Sequence, residues 1–308
     1  MTNNDKDNFG VLQLRNTFKI SAFEAFITSL VVGLSENYFA AYAVQNGFSA
    51  LESGLLISLP LLFASIMKFL LIPYLNTISV SEFVKKGTLF QSFSLALLLI
   101  LTFFNYKPTF LILLFIYSIY WLGHFAVLPA WNRWMSDIIP KESGQIFFSM
   151  RTRLSQSGII LGLIIGGLTL HLNVIQISIE RLFFGLSAIS FFCKIIAYYL
   201  FNKQQHVPTT ISLSKSKMYE IFKRYFLFFK SYSLFNFSLY FSAPFVAGYL
   251  LKDRHLNYLE FMIVMLGLFI GKVLATFWLN TTKKQIDPTQ MMFYGGLVAA
   301  PLPALWPI

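Results

Sequence analysis

Glu36 and His124 are titratable groups set inside long apolar runs, Glu36 with Asn37 beside it and His124 close to Trp121. Asn236 and Tyr240 bring hydrogen-bonding groups to a later run. A charged side chain in hydrocarbon costs about 2.5–3.5 kcal/mol on insertion scales, so an acid there needs a reason. A carboxylate so placed suits a cationic or hydroxylated ligand, or a proton taken up and released. A histidine suits a proton relay. Ser29, Gly33 and Ala40 share the face of Glu36 at helical spacing, which fits close packing or a cavity wall. Each group also has a plainer reading. At about 1.5 Å per residue from Ile20, Glu36 lies near the outer interface, where it can reach water. His124 can be a neutral histidine bonded between helices, and Asn236 and Tyr240 interhelical glue. Lys68, Lys194 and Lys272 share one depth, which predicts snorkelling to the inner interface. Glu24 lies at a similar depth, so a structural Glu24–Lys68 ion pair is expected.

The elements that hold these groups are membrane helices. Of 308 residues, 56% are hydrophobic and 12% charged, with 35 Phe, a composition outside the soluble globular range. Apolar runs of about 20 residues match the thickness of a bilayer and lack the alternation of barrel strands. The fold class is therefore an all-α membrane protein. Nine spans are read, at 20–44, 51–75, 84–104, 109–131, 155–172, 178–201, 226–250, 258–279 and 290–308. Residues 1–19 form a polar N-terminal tail without a cleavable signal, so the first span is read as a retained helix. With that tail inside, 17 of the 24 Lys and Arg fall on inner segments, four on outer ones and three within spans. This is the positive-inside pattern, and it explains the formal charge of +11 without nucleic acid.

Residues 202–225 read as a polar, basic cytoplasmic linker between an N-terminal six-helix bundle, 20–201, and a partial C-terminal bundle of three helices, 226–308. Leu51-Glu52 and Leu259-Glu260 lie 208 residues apart at the start of corresponding spans, a short sign of an internal repeat. Parallel repeats of six spans are a plan used by transporters. Gly158, Gly162 and Gly166, and likewise Gly267 and Gly271, follow the small-xxx-small spacing of tightly packed helices. The single cysteine, Cys193, cannot form an intrachain disulfide. The four His, at 124, 171, 206 and 255, form no zinc motif, and the acids form no metal cluster, so neither an enzyme nor a cofactor is expected.

Between the fourth and fifth runs lies LPAWNRWMSDIIPKESGQIFFSMRTR, 128–153, read as an inner loop. Trp131 and Trp134 are expected to anchor at the membrane interface while Arg133, Lys141, Arg151 and Arg153 stay in water. Pro129, Ala130, Trp131, Asn132, Trp134, Met135, Asp137, Pro140, Gly144, Phe147, Arg151 and Arg153 resemble a loop motif of bacterial major facilitator superfamily proteins, which tend to carry Arg where this chain has Ser143 and Gln145. GLSENYFAAYAV (33–44) and GLLISLPLLFAS (54–65) resemble the first two spans of the same proteins. The stretches 76–87 and 278–288 lack the glycine turns usual there.

The resemblance implies a secondary active transporter that moves a small solute by alternating access, a monomer in the bacterial cytoplasmic membrane with its N-terminus inside and H+ or Na+ as coupling ion. It implies twelve spans, of which spans one, four, seven and ten line the cavity. Glu36, Asn37, Trp121, His124, Asn236 and Tyr240 are then candidates for substrate or proton coupling. Arg133, Asp137, Arg151 and Arg153 are candidates for inner-loop gating. Nine spans where twelve are implied predict a fragment with impaired activity. A non-transporting remnant and a membrane-embedded enzyme or scaffold remain the alternatives.

Overall fold

In the computed structural model, backbone is described for residues 3–71, 79–172, 176–204, 220, 223–240, 243–281, 293–295 and 297; side chains of 3–15, 68–71, 141, 142, 145, 235, 238–240, 272 and 275–281 are not. The regular elements among these residues are all helices, joined by short turns. Helix α1 spans Asn3–Leu34, α2 Phe39–Gln45, α3 Ala50–Leu71, α4 Val80–Phe103, α5 Phe110–Ile138, α6 Lys141–His171 and α7 Ile179–Asn202. Then follow α8, Phe226–Tyr240; α9, Ala243–Gly248, which runs into a π turn at Tyr249–Asp253; and α10, Tyr258–Thr281. Among the described residues six helices are long and apolar enough to cross a membrane, and the chain is a multi-pass membrane protein. Large side chains such as Phe93, Phe103, Phe115, Phe192 and Tyr199 point outward, which is favourable toward lipid.

Helix α1 packs most extensively on α6, α4 on both α5 and α7, and α3 on α5. Glycine makes the first contact possible. A methyl on Gly162 would strike the Leu30 carbonyl and Gly33, and one on Gly158 would strike the Phe26 carbonyl. The backbones therefore approach closely, and Ser29 and Ser155 share a hydrogen bond of 2.6 Å across the seam. Gly267 and Gly271 do not act this way: no described atom lies within 4 Å of a methyl placed on either.

The matching Leu-Glu pairs have a local physical cause. Ser49 and Glu52 cap α3 reciprocally, with Ser49 N–H donating to Glu52 Oε2 at 2.8 Å and Glu52 N–H to Ser49 Oγ at 3.2 Å. Asn257 and Glu260 repeat the arrangement at α10, both bonds at 2.9 Å. Each glutamate satisfies free N–H groups at a helix start.

Several expectations change. The tail 1–19 is helical from Asn3 onward and continuous with the first span. That span breaks at Ser35 and resumes through a 3-10 turn, Glu36–Tyr38, into α2. Asn37 stabilises the break by donating to the Val32 carbonyl at 2.8 Å, and Ser35 donates to Ser190 on α7 at 2.9 Å. The stretch 128–153 is not a loop. Helix α5 continues to Ile138 and α6 starts at Lys141, with Ile139 and Pro140 between them. Trp131 and Trp134 are buried with Val80, Val84, Met135, Phe147 and Phe201 where α4 to α7 meet, so they are packing residues instead of interface anchors. The seventh span, 226–250, is described as α8, Phe226–Tyr240, and α9, Ala243–Gly248, with 241–242 outside the described residues. Most of the ninth, 290–308, and most of the linker 202–225 lie outside the described residues.

Candidate functional site

Helices α1, α4, α5, α6 and α7 enclose a cavity of about 410 Å³ toward the end of the bundle that carries the α5–α6 junction. Its wall includes Glu24, Thr88, Gln91, His124, Trp131 and Lys194. Glu24 is fully engaged: Arg151 from α6 holds one carboxylate oxygen at 2.7 Å and Thr28 Oγ1 donates to the other at 2.8 Å. Arg151 also donates to the hydroxyl and carbonyl of Ser21 and lies over the Trp131 ring, 3.9 Å from its centroid. The pair is thus built into the seam between α1 and α6.

Lys194 reaches the same chamber from α7, 1% exposed, and donates to Gln91 Oε1 at 2.8 Å. Its ammonium lies 5.8 Å from the centroid of the Tyr120 ring, and the Tyr120 hydroxyl donates to Glu36 Oε2 at 2.9 Å. A line of polar groups, Gln91, Lys194, Tyr120 and Glu36, therefore runs from the chamber to the break in the first span. Among the described residues, Gln91 Nε2 and Trp131 Nε1 are buried without a hydrogen-bond partner. Buried polar atoms are rarely left so.

Toward the break in the first span the bundle is closed by aromatic rings. Phe39 stacks on Tyr117 at 4.4 Å and meets Tyr120 edge-on at 5.1 Å, and Tyr38 meets Phe261 at 5.8 Å. The phenol groups end on backbone: Tyr38 donates to the Leu163 carbonyl at 2.8 Å and Tyr117 to that of Phe39 at 2.9 Å. A pocket of only about 20 Å³ remains there.

The residues singled out from sequence divide accordingly. Glu36 joins the polar line and His124 the chamber wall, its ring 5.5 Å from Trp121. Asn37 and Asn236 bond carbonyls of the chain next to them, Val32 and Tyr232, and Tyr240 lies outside the described side chains. Asp137 pairs with Arg133 one turn away on α5 at 3.2 Å, while Arg153 is exposed and donates to the Ser149 carbonyl of its own helix. Arg151 points inward instead of into water, and the partner of Glu24 is Arg151; the Lys68 side chain lies outside the described residues. Lys194 does not snorkel, since it is buried between helices, and Lys272 also lies outside the described side chains. Sequence reasoning missed Gln91 and Tyr120 and misread Lys194. The signal for Lys194 was present: Ser187, Ser190 and Lys194 form one polar stripe on α7, opposite Phe192, Ile196 and Tyr199.

No protein-family model and no curated protein matches the chain. Solved structures do. A bacterial homologue of the human lysosomal transporter Spinster, inward-facing and unoccupied, aligns with a TM-score of 0.58 at 16% identity, covering 83% of this chain and 58% of its own. Such a homologue in the inward-facing, occupied conformation aligns with a TM-score of 0.59 at 14% identity, covering 90% and 62%. This chain thus spans about three-fifths of the length of those transporters. The helical bundle of this chain has the major facilitator fold.

Proposed function

We propose that the protein to which these helices belong moves a small solute across a membrane by alternating access, with the chamber among α1, α4, α5, α6 and α7 as part of the solute path. The observation that carries this reading is a 410 Å³ cavity walled by Glu24, Arg151 and Lys194 within a membrane-spanning bundle. Charges at that depth are costly unless they serve a pathway or each other. The volume suits a small molecule. Closure of the opposite end by Tyr38, Phe39, Tyr117 and Tyr120 fits a state open toward one side only. The similar Spinster homologues are described as inward-facing.

Coupling to H+ or Na+ is part of the proposal, with Glu36 as the acid that changes partner and Tyr120 as its link to Lys194. Gating at the α5–α6 junction is also part of the proposal, with Arg133 and Asp137, paired on α5, and Arg151 and Arg153 on α6 as its candidates. The positive-inside count supports a cytoplasmic N-terminus in a bacterial cytoplasmic membrane, with bundles at 20–201 and 226–308 joined by 202–225. Uptake into vesicles, measured with and without a proton gradient, tests this. Glu36→Gln is expected to abolish the response to the gradient while solute exchange persists. Unchanged gradient-driven uptake in that variant removes Glu36 from coupling, and a wild-type protein that moves no solute removes the transport reading.

A further inference from the structure

We propose that the chamber takes a small solute carrying negative charge on oxygen, a carboxylate or phosphate-type anion, and that Lys194 and Gln91 are the residues that meet it. Only the solute's reason for being in the chamber rests on the transport reading.

The charges on the wall do not balance. Glu24 is the acid there, and Arg151 and Thr28 already engage both of its oxygens. Lys194 faces the same space with a neutral amide as its hydrogen-bond partner. Glu36 does not line the chamber; it accepts from Tyr120, whose ring lies beneath the ammonium. Glu36 and Glu24 act on this ammonium through space, but its direct hydrogen-bond partner is a neutral amide, and a bound anion would supply the contact that neither acid makes.

Hydrogen bonding points the same way. An ammonium has three donors and no acceptor, so its neighbour must present an acceptor. This fixes the Gln91 amide, 2% exposed, with its oxygen toward Lys194 and its NH2 group away. Among the described residues that Nε2 has no partner, and neither has Trp131 Nε1 on the same wall; against these two donors stands one unpartnered acceptor of a wall residue, Gln156 Oε1. Two further Lys194 donors add to the two donors. The chamber thus offers clustered donors from α4, α5 and α7, and an oxyanion, which only accepts, satisfies them with charge-assisted bonds. A cation would meet Lys194 with like charge.

The test is equilibrium binding to the full chain in detergent, with radiolabelled benzoate and inorganic phosphate as anionic probes and tetraethylammonium and glucose as counter-probes. Saturable binding of one anion is expected, benzoate binding marking a carboxylate solute and phosphate binding a phosphate-type one. Lys194→Met and Gln91→Leu should each weaken it roughly tenfold or more, the scale of one lost charge-assisted bond. Lys194→Arg should retain most of it, and Lys107→Gln, on the exposed α4–α5 turn, should change nothing. If Lys194→Met does not fold, Gln91→Leu decides. The proposal is overturned if neither anion binds saturably, if only the cation or glucose binds, or if the folded variants keep full anion affinity. Anion binding without uptake into vesicles would leave the site standing and remove the transport reading; uptake of the cation alone would do the reverse.

Discussion

The two ends of the described bundle use similar side chains to opposite effect. At the break in the first span, Tyr38 and Tyr117 are buried and their hydroxyls end on backbone carbonyls, so rings and hydrogen bonds together leave almost no space. Around the chamber, Gln91 and Trp131 are also buried, yet among the described residues each keeps an unpartnered N–H group in the wall of an open volume. Burial alone does not distinguish a seal from a site. Unspent hydrogen-bonding capacity does, because a buried donor left unmatched costs about 1–3 kcal/mol unless something else fills the role.

The largest expected effect is at the chamber. Arg151→Leu leaves the Glu24 carboxylate buried without its partner, which should cost about 3 kcal/mol or more and lower the thermal midpoint in detergent markedly. The double variant Glu24→Gln with Arg151→Leu should recover most of that loss. Equal losses in both would mean that Arg151 acts through its packing on Trp131 and not through the ion pair.

The seal should yield next. Gly166 on α6 lies against the Tyr38 ring, so Gly166→Leu forces that ring out of place at a cost of about 2 kcal/mol. Gly144, near the start of the same helix, has no described atom within 4 Å of an added methyl. Gly144→Ala should be neutral or stabilising by up to about 1 kcal/mol through helix propensity. Thermal unfolding of the pair checks whether α6 is tight only where it meets the first span.

The sequence carried the spans because thickness and hydropathy act through composition, and each residue contributes independently to that signal. Glu36 stood out for the same reason, as a charge in an apolar run. Its partner did not, because 84 residues separate Glu36 from Tyr120 and no periodicity links two helices across a bundle. The misreading of 128–153 has another cause. Trp and Arg there look like interfacial residues, but α5 and α6 extend well past the apolar runs into a cluster shared with α4 and α7 and a seam with α1, so Trp131, Trp134 and Arg151 have protein to bury against. Lys194 was grouped by depth with Lys68 and Lys272; the polar stripe with Ser187 and Ser190 was the better guide, since lipid-facing positions on α7 carry none of it.

A smaller effect tests the seal atom by atom. Tyr117→Phe keeps the ring stacked on Phe39 and deletes only the bond to the Phe39 carbonyl, so about 1 kcal/mol is expected, read as a modest fall in the thermal midpoint. Loss of several times that amount would show that the hydroxyl, and not the stacking, holds the break in the first span.

The smallest effect belongs to two of the residues that the family resemblance implies for inner-loop gating. Arg133 and Asp137 meet at 3.2 Å, but the arginine side chain is 54% exposed and the two lie one turn apart on a single helix. Solvent screens such a pair, and its worth is below about 1 kcal/mol. Arg133→Gln should therefore leave the thermal midpoint nearly unchanged where Arg151→Leu lowers it strongly, although both remove one arginine near one helix junction. A drop as large as that of Arg151→Leu would erase the contrast between a charge that faces water and one that faces the chamber.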